Sequence, residues 1–305
     1  MAPEGVYIIN KPPGMTSHDV VYRMRRILGT RKVGHAGTLD PMATGVLIIL
    51  ANGATKLSEK YMNGDKVYRA AVRLGVVTDT YDTTGKIISE NEVSVTRGEI
   101  DGALAGFVGE ISQTPPMYSA VKVNGRKLYE LARRGIEVER KSRDITVYKI
   151  DVVDYRVAGV EPIRLSPILF LSERPFRRLN SDGYSPSGKN TQPKKLSGER
   201  SKSLKRANFR PSKKKFADNT FVLAKIFTKD GWKFAVLNRV GFDSRYPNLT
   251  LDIHCSKGTY VRSLIHDFGQ VLGCGAAMSG LCRLRSGDFS IDDAVTLEDL
   301  QNERS

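Results

Sequence analysis

The chain has 305 residues, 48 Lys and Arg against 33 Asp and Glu, a net charge of +15 and 40% hydrophobic residues. That length makes one large domain or two small ones, and a hydrophobic fraction this close to globular usage excludes wholesale disorder and a fibrous protein. The longest aliphatic run, Val46 to Ala51, is far too short to cross a bilayer, and the N-terminus has neither a signal-peptide pattern nor an Arg/Ser-rich leader, so a soluble protein without a membrane is expected.

In chain order, Val6 to Ile9 reads as a strand. Val20, Val21, Met24, Ile27 and Leu28 then fall on one helical face, opened by Ser17 as the expected cap and closed by Gly29. Strands are expected again at Val46 to Leu50 and Val67 to Leu74, the latter with Tyr68, Ala70, Val72 and Leu74 on one face. Thr96-Arg-Gly-Glu99 has capping-box spacing and opens a helix carrying Ile100, Leu104, Phe107 and Val108, with Gly109 as its stop. Ala120 to Gly125 reads as a strand running into a tight turn, and Leu128, Leu131 and Ala132 resume helical spacing up to Gly135. Leu249, Leu251 and Ile253 alternate as a half-buried strand, and Leu264, Ile265, Phe268, Val271 and Leu272 describe a helix ending at Gly273. Helices interspersed with strands and hairpins imply an α+β fold rather than a regular βαβ succession.

The charge is unevenly placed. Residues 172–219 hold 14 Lys and Arg against 4 Asp and Glu, two thirds of the excess, with little apolar periodicity, and are expected to be a disordered basic loop. Phe221 to Phe227 and Trp232 to Leu237, joined through Lys229-Asp-Gly231, read as a hairpin extending the sheet. Three cysteines (Cys255, Cys274, Cys282) form no Cys-x2-Cys pair and four histidines no His-x3-His motif, so buried thiols in a reducing compartment are expected and no metal.

Gly34-His-Ala-Gly-Thr-Leu-Asp40-Pro-Met-Ala-Thr-Gly-Val-Leu47 is the most informative stretch. Its glycines permit close approach of another backbone, and Pro41 restricts Asp40 to an extended conformation, so a carboxylate is held on a stiff loop. Spacing alone fits a structural Asp-Pro turn as well as a reactive carboxylate.

The stretch resembles the signature loop of the TruB family of pseudouridine synthases. Supporting motifs come in that family's order: Asn10-Lys-Pro-Pro-Gly-Met-Thr-Ser17, Tyr68-Arg69 with Arg73-Leu-Gly75, Thr78-Asp-Thr80 with Asp82 through Gly85, Met117-Tyr-Ser-Ala-Val-Lys122 and Cys255-Ser-Lys-Gly-Thr-Tyr-Val-Arg262. The resemblance implies the pseudouridine synthase fold, a mixed, largely antiparallel sheet flanked by helices, and isomerisation of a uridine in RNA without cofactor or metal. Carried over residue by residue, Asp40 is the catalytic nucleophile, attacking either the uracil ring or the anomeric carbon. Arg262 pairs with it, Tyr68 stacks on the base, His35 fills the space the uridine vacates, and Tyr260 and Leu281 line the pocket. Without the resemblance, Arg262 reads as a solvated charge and Tyr68 as strand-face packing. Lys11 and Pro12 belong to a motif that supports the loop rather than reacting.

The implied partner is tRNA through its T-arm stem-loop, with uridine 55 as target and the base flipped out of its stack. A monomer in the cytoplasm is expected, or an organellar or nuclear location if the chain is eukaryotic. Residues 1–156 and 248–305 are assigned to the catalytic domain and 157–247 to an insertion, 172–219 of it disordered and basic and 220–247 a hairpin. The small C-terminal RNA-binding domain of many bacterial relatives, of the PUA type, is not evident before Ser305; the basic segment fits an RNA clamp in its place, an import signal or an insertion tolerated at a surface hairpin. The rival reading is a tRNA-binding or tRNA-folding factor on the same scaffold, catalytically silent; Asp40, Tyr68 and Arg262 are all present, which favours the enzyme.

Overall fold

A computed structural model describes residues 5–123, 125–156, 168–170, 222–228, 231–237 and 246–303, the short stretches between 168 and 237 as backbone only. The basic segment at 172–219 lies outside the described residues. Strand β1 (Gly5–Lys11) is buried along its whole length. Helix α1 (Ser17–Leu28) buries Val20, Val21, Met24 and Leu28, the stripe its 3.6-residue spacing places inward. Its N-cap is Thr16, one residue before the expected Ser17: Thr16 Oγ1 accepts the Asp19 amide and the Asp19 carboxylate accepts the Thr16 amide. Asp19 lies three residues beyond Thr16, the only spacing that closes such a box, and Ser17 is left to turn inward. Gly29 ends the helix at φ 64, the left-handed conformation that favours glycine there.

Strands β2 (Val33–Ala36) and β3 (Thr44–Ala51) follow, with the Asp40 loop between them. After α2 (Ser58–Met62) come β4 (Lys66–Leu74) and the pair β5 (Val76–Thr78) and β6 (Ile87–Glu90). Tyr68, Ala70, Val72 and Leu74 of β4 share one hydrophobic core, as their alternation predicts. Helix α3 (Arg97–Ala105) has the expected capping box between Thr96 and Glu99 but is capped by Gly106. Phe107 and Val108 therefore lie outside it, and Val108 is exposed, because the chain turns at once into β7 (Gly109–Gln113). The two-residue strands β8 (Lys122–Val123) and β9 (Arg126–Lys127), helix α4 (Leu128–Ala132) and the long β10 (Arg143–Arg156) complete this half.

Strands β12 (Val222–Thr228) and β13 (Gly231–Leu237) pair antiparallel as a hairpin. Together with β11 (Ile168–Phe170) they make a separate three-stranded sheet, so among the described residues the hairpin does not extend the main sheet. Strand β14 (Asn248–Cys255), helix α5 (Val261–Val271), β15 (Ala276–Ser286), β16 (Phe289–Ser290) and α6 (Leu297–Asn302) close the chain. Val271, expected in the core, is exposed at the last turn of α5, while Leu264, Ile265 and Phe268 are buried.

The main sheet runs β1-β3-β15-β4-β14-β10-β7, with β2 paired to β3 and β16 to β15. Every pairing is antiparallel except that of β3 with β15, at Thr44↔Cys282 and Gly45↔Arg283. The fold is thus α+β with a mixed, largely antiparallel sheet flanked by helices. That one parallel contact sets an N-terminal loop beside a C-terminal strand. The larger core lies between one face of the sheet and α1, α3, α5 and α6, and a smaller cluster of Val6, Ile8, Ala36, Val46, Ile48, Leu50 and Ala54 fills the other side of β1 and β3. Cys255, Cys274 and Cys282 are buried free thiols, and burial pushes Cys255 and Cys282 up to about 11. No helix among the described residues is long and apolar enough to cross a membrane.

Candidate active site

The loop between β2 and β3 is held by its backbone on both sides of Asp40. Ser17 Oγ accepts the Leu39 amide at 2.9 Å and donates to the Leu39 carbonyl at 3.2 Å. The Gly14 amide donates to Pro41 O at 2.8 Å, and the Ala43 amide to Asp40 O at 3.0 Å. Lys11, wholly buried, reaches Pro41 O at 3.1 Å and also donates to Pro12 O at 2.8 Å and Met15 O at 2.5 Å. Burial lowers its pKa to about 8, with the Asp40 carboxylate opposing the shift. Lys11 is thus a brace for the loop, and Asp40 is left to project from a fixed backbone.

Arg262 lies in the first turn of α5. The preceding Tyr260 is clamped by the Gln113 amide group, which accepts the Tyr260 N–H at 2.7 Å and donates to its carbonyl at 3.0 Å. From there the guanidinium gathers three separate segments: Nε donates to Asp40 Oδ2 at 2.9 Å, Nη1 to Thr80 O at 2.9 Å and Nη2 to Tyr118 O at 2.8 Å. Asp82 Oδ2 stands 3.7 Å from Nη1, on a carboxylate whose Oδ1 accepts the Thr84 amide at 2.9 Å. Arg262 is 6% exposed and Asp40 37%, so the cation is locked inside the protein while the carboxylate it orients stays open to solvent.

Tyr68 lies on β4 directly across from Arg283 of β15, within reach of the Asp40 charge. Burial raises its phenol above the ordinary range, with the Arg283 guanidinium, which hydrogen-bonds to it, opposing the shift. His35 of β2 is held below the usual imidazole range by burial and by the nearby His18 and Arg283. Leu281, buried on β15, lies two residues before Arg283, and Tyr260, under the Arg143 guanidinium at 5.4 Å, two residues before Arg262. Asp40 and Arg262 are joined directly, and Tyr68 and Arg283 pair across neighbouring strands; Tyr260 and Leu281 are linked to these residues only by their positions in the chain.

From sequence, no site role falls to Arg283 or Gln113, Ser17 reads only as a helix cap, and Asp82 stands only within a motif. Arg283 is 1% exposed, donating from Nε to Val46 O at 2.7 Å and from Nη2 to Gly37 O at 3.2 Å, so it pins the start of the Asp40 loop from the opposite end of the chain. A cation inside an apolar strand was its signal. Asp82 was visible only as part of a Thr/Asp-rich motif. Among the described residues no group of His, Cys, Asp and Glu could hold a metal ion.

A solvent-facing carboxylate oriented by a buried guanidinium is suited to nucleophilic work on a polar substrate. Residues 25–164 match the family model for the N-terminal domain of TruB family pseudouridylate synthase, and 262–305 that for the tRNA pseudouridylate synthase B C-terminal domain. The chain is 37% identical over 297 residues to tRNA pseudouridine synthase B of Alkaliphilus oremlandii, covering 97% of this chain and 70% of that one. It is 36% identical over 300 residues to the protein of the same name from Clostridium kluyveri, covering 98% and 73%. Among solved structures, a chain of a Cbf5-Nop10-Gar1 complex matches with a TM-score of 0.55 and 26% identity, over 98% of this chain and 54% of that one, so this chain spans about half its length. The chain belongs to the TruB family of tRNA pseudouridine synthases, which isomerise uridine to pseudouridine in tRNA.

Proposed function

We propose that the protein converts uridine 55 in the T arm of tRNA to pseudouridine, with Asp40 as nucleophile. The observation that carries this is the Nε to Oδ2 contact of 2.9 Å between a buried Arg262 and a half-exposed Asp40. A carboxylate presented in this way has its attack direction set in advance, so little reorganisation is left for the reaction. The isomerisation breaks the glycosidic C–N bond and rejoins the sugar to a ring carbon; that carbon gives up its proton and the freed ring nitrogen takes one up, so nothing is oxidised or reduced and no cofactor or metal enters the balance.

The target base leaves its stack to reach Asp40, and contacts in the pocket offset that cost. Tyr68 stacks on the flipped base, Tyr260 and Leu281 line its pocket, and His35 occupies the gap left in the RNA loop. The protein works as a monomer in the cytoplasm. Incubating it with unmodified tRNA and mapping product by carbodiimide-based primer extension tests the reading. Wild-type protein forms pseudouridine at position 55, and Asp40→Asn forms none while binding tRNA with nearly unchanged affinity. A wild-type protein that binds tRNA and modifies no uridine would instead be a silent tRNA-folding factor.

A further inference from the structure

We infer that Tyr81 is a positioning residue for Arg262, acting through the stack of its ring on His266. The inference rests on the reading of Asp40 and Arg262 given above. Tyr81 has φ 64, one of two non-glycine residues with positive φ among those described, the other being Asn52. Asparagine tolerates that conformation; a bulky side chain does not adopt it without compensation. The compensation on view is a ring contact: Tyr81 and His266 stack with centroids 3.9 Å apart and planes 13° from parallel.

The location of the stack gives it a purpose. His266 is four residues beyond Arg262, and therefore on the same face of α5. Tyr81 stands between Thr80, whose carbonyl accepts Arg262 Nη1 at 2.9 Å, and Asp82, whose carboxylate lies 3.7 Å from the same nitrogen. Two side-by-side contacts thus tie the turn at 78–84 to α5, one through the guanidinium and one through the stacked rings. The backbone of the turn is fixed to β15 instead: the Met278 amide donates to Tyr81 O at 3.0 Å, and the Thr83 amide to Met278 O at 3.0 Å. With the stack in place, the acceptors of Nη1 have one position relative to the helix, and Nε has one line to Asp40. Burial keeps His266 below the ordinary imidazole range, with the neighbouring Asp267 carboxylate opposing the shift.

Tyr81→Gly in the full chain separates ring from backbone, because glycine takes φ 64 freely and leaves the turn its path. On unmodified tRNA the variant is expected to lose about tenfold in kcat with KM and tRNA affinity unchanged, the size of one aromatic stack. Tyr81→Phe keeps the ring face and restores the rate, and His266→Ala reproduces the loss from the other side. Combined with Asp82→Asn, Tyr81→Gly adds little, since both changes act on Arg262. Wild-type kcat in Tyr81→Gly, a loss confined to KM, or full additivity with Asp82→Asn overturns the inference. Should Tyr81→Gly fail to fold, as judged by circular dichroism, His266→Ala is held to the same criteria. Absence of product from the wild type, or turnover by Asp40→Asn, would instead refute the underlying reading.

Discussion

The Asp40 carboxylate and the Arg262 guanidinium are 222 residues apart in the chain and meet through one hydrogen bond, Nε to Oδ2 at 2.9 Å. The other two donors are committed to the carbonyls of Thr80 and Tyr118, so the guanidinium cannot turn without breaking several contacts at once. Arg262→Lys replaces this fork by a point charge that cannot reach all three acceptors. Turnover on tRNA should fall by at least about a hundredfold, the loss of one or two charge-assisted hydrogen bonds. Single-turnover kinetics measure it, and a rate within a factor of a few of wild type would mean that charge alone suffices.

Much of this arrangement is legible in the amino-acid sequence, and the limits have physical causes. Asp40 and Arg262 stand in motifs whose glycines and prolines fix local backbone, which spacing records. Arg283 and Ser17 work across distance: one reaches Gly37 O from the far end of the chain and the other reaches Leu39, and no local pattern encodes a tertiary contact of that kind. The cap of α1 falls on Thr16 rather than Ser17 because both are good caps and only the position of Asp19 decides between them. Helix α3 is shorter than its apolar pattern because Phe107 and Val108 continue the spacing after the backbone has left the helix.

The glycines in the strands on either side of the Asp40 loop are not equivalent. A Cβ on Gly45, at φ 95, would lie 2.3 Å from the Arg283 carbonyl oxygen and 2.8 Å from its nitrogen, because β3 and β15 touch there. One on Gly34 would meet nothing within 4 Å. Gly45→Ala should therefore destabilise the protein by about 3 kcal/mol or more, through overlap with backbone added to left-handed strain. Gly34→Ala should stay within about 0.5 kcal/mol of wild type. Urea denaturation of both distinguishes them, and equal midpoints would contradict the close approach.

Lys11 predicts a pH dependence of stability. Its pKa is about 8 in the fold against an ordinary 10.5, so between these values the folded protein binds fewer protons than the unfolded chain. Stability therefore rises with pH across that window, and the cost of burying the charge is fully present below it. Lys66, also lowered to about 8 by burial, contributes in the same sense. In Lys11→Met the Lys11 part of the slope disappears and that of Lys66 remains. Denaturant midpoints measured between pH 8 and pH 10 should show wild type gaining on the variant as pH rises. A constant difference would mean that Lys11 keeps its proton throughout.

Ser17 is the most economical test of whether the loop must be rigid. Its hydroxyl satisfies both backbone groups of Leu39, accepting the amide at 2.9 Å and donating to the carbonyl at 3.2 Å, and Leu39 immediately precedes Asp40. Both Ser17 and Leu39 are buried, so water has poor access to either group once the hydroxyl is gone. Ser17→Ala should cost about 1–3 kcal/mol, the penalty for orphaned buried polar groups, rather than the smaller loss expected of an exposed helix cap. Thr16 keeps the capping box, so α1 itself should retain its helicity. The freed backbone beside Asp40 should lower kcat on tRNA by about tenfold while KM stays near wild type, because orientation of the carboxylate is lost and the RNA-binding surface is not. Thr16→Ala is the matching control: it weakens the cap at the exposed end of α1 and should leave kcat unchanged. If Ser17→Ala and Thr16→Ala lose the same stability and neither slows turnover, the hydrogen bonds to Leu39 have no part in holding Asp40.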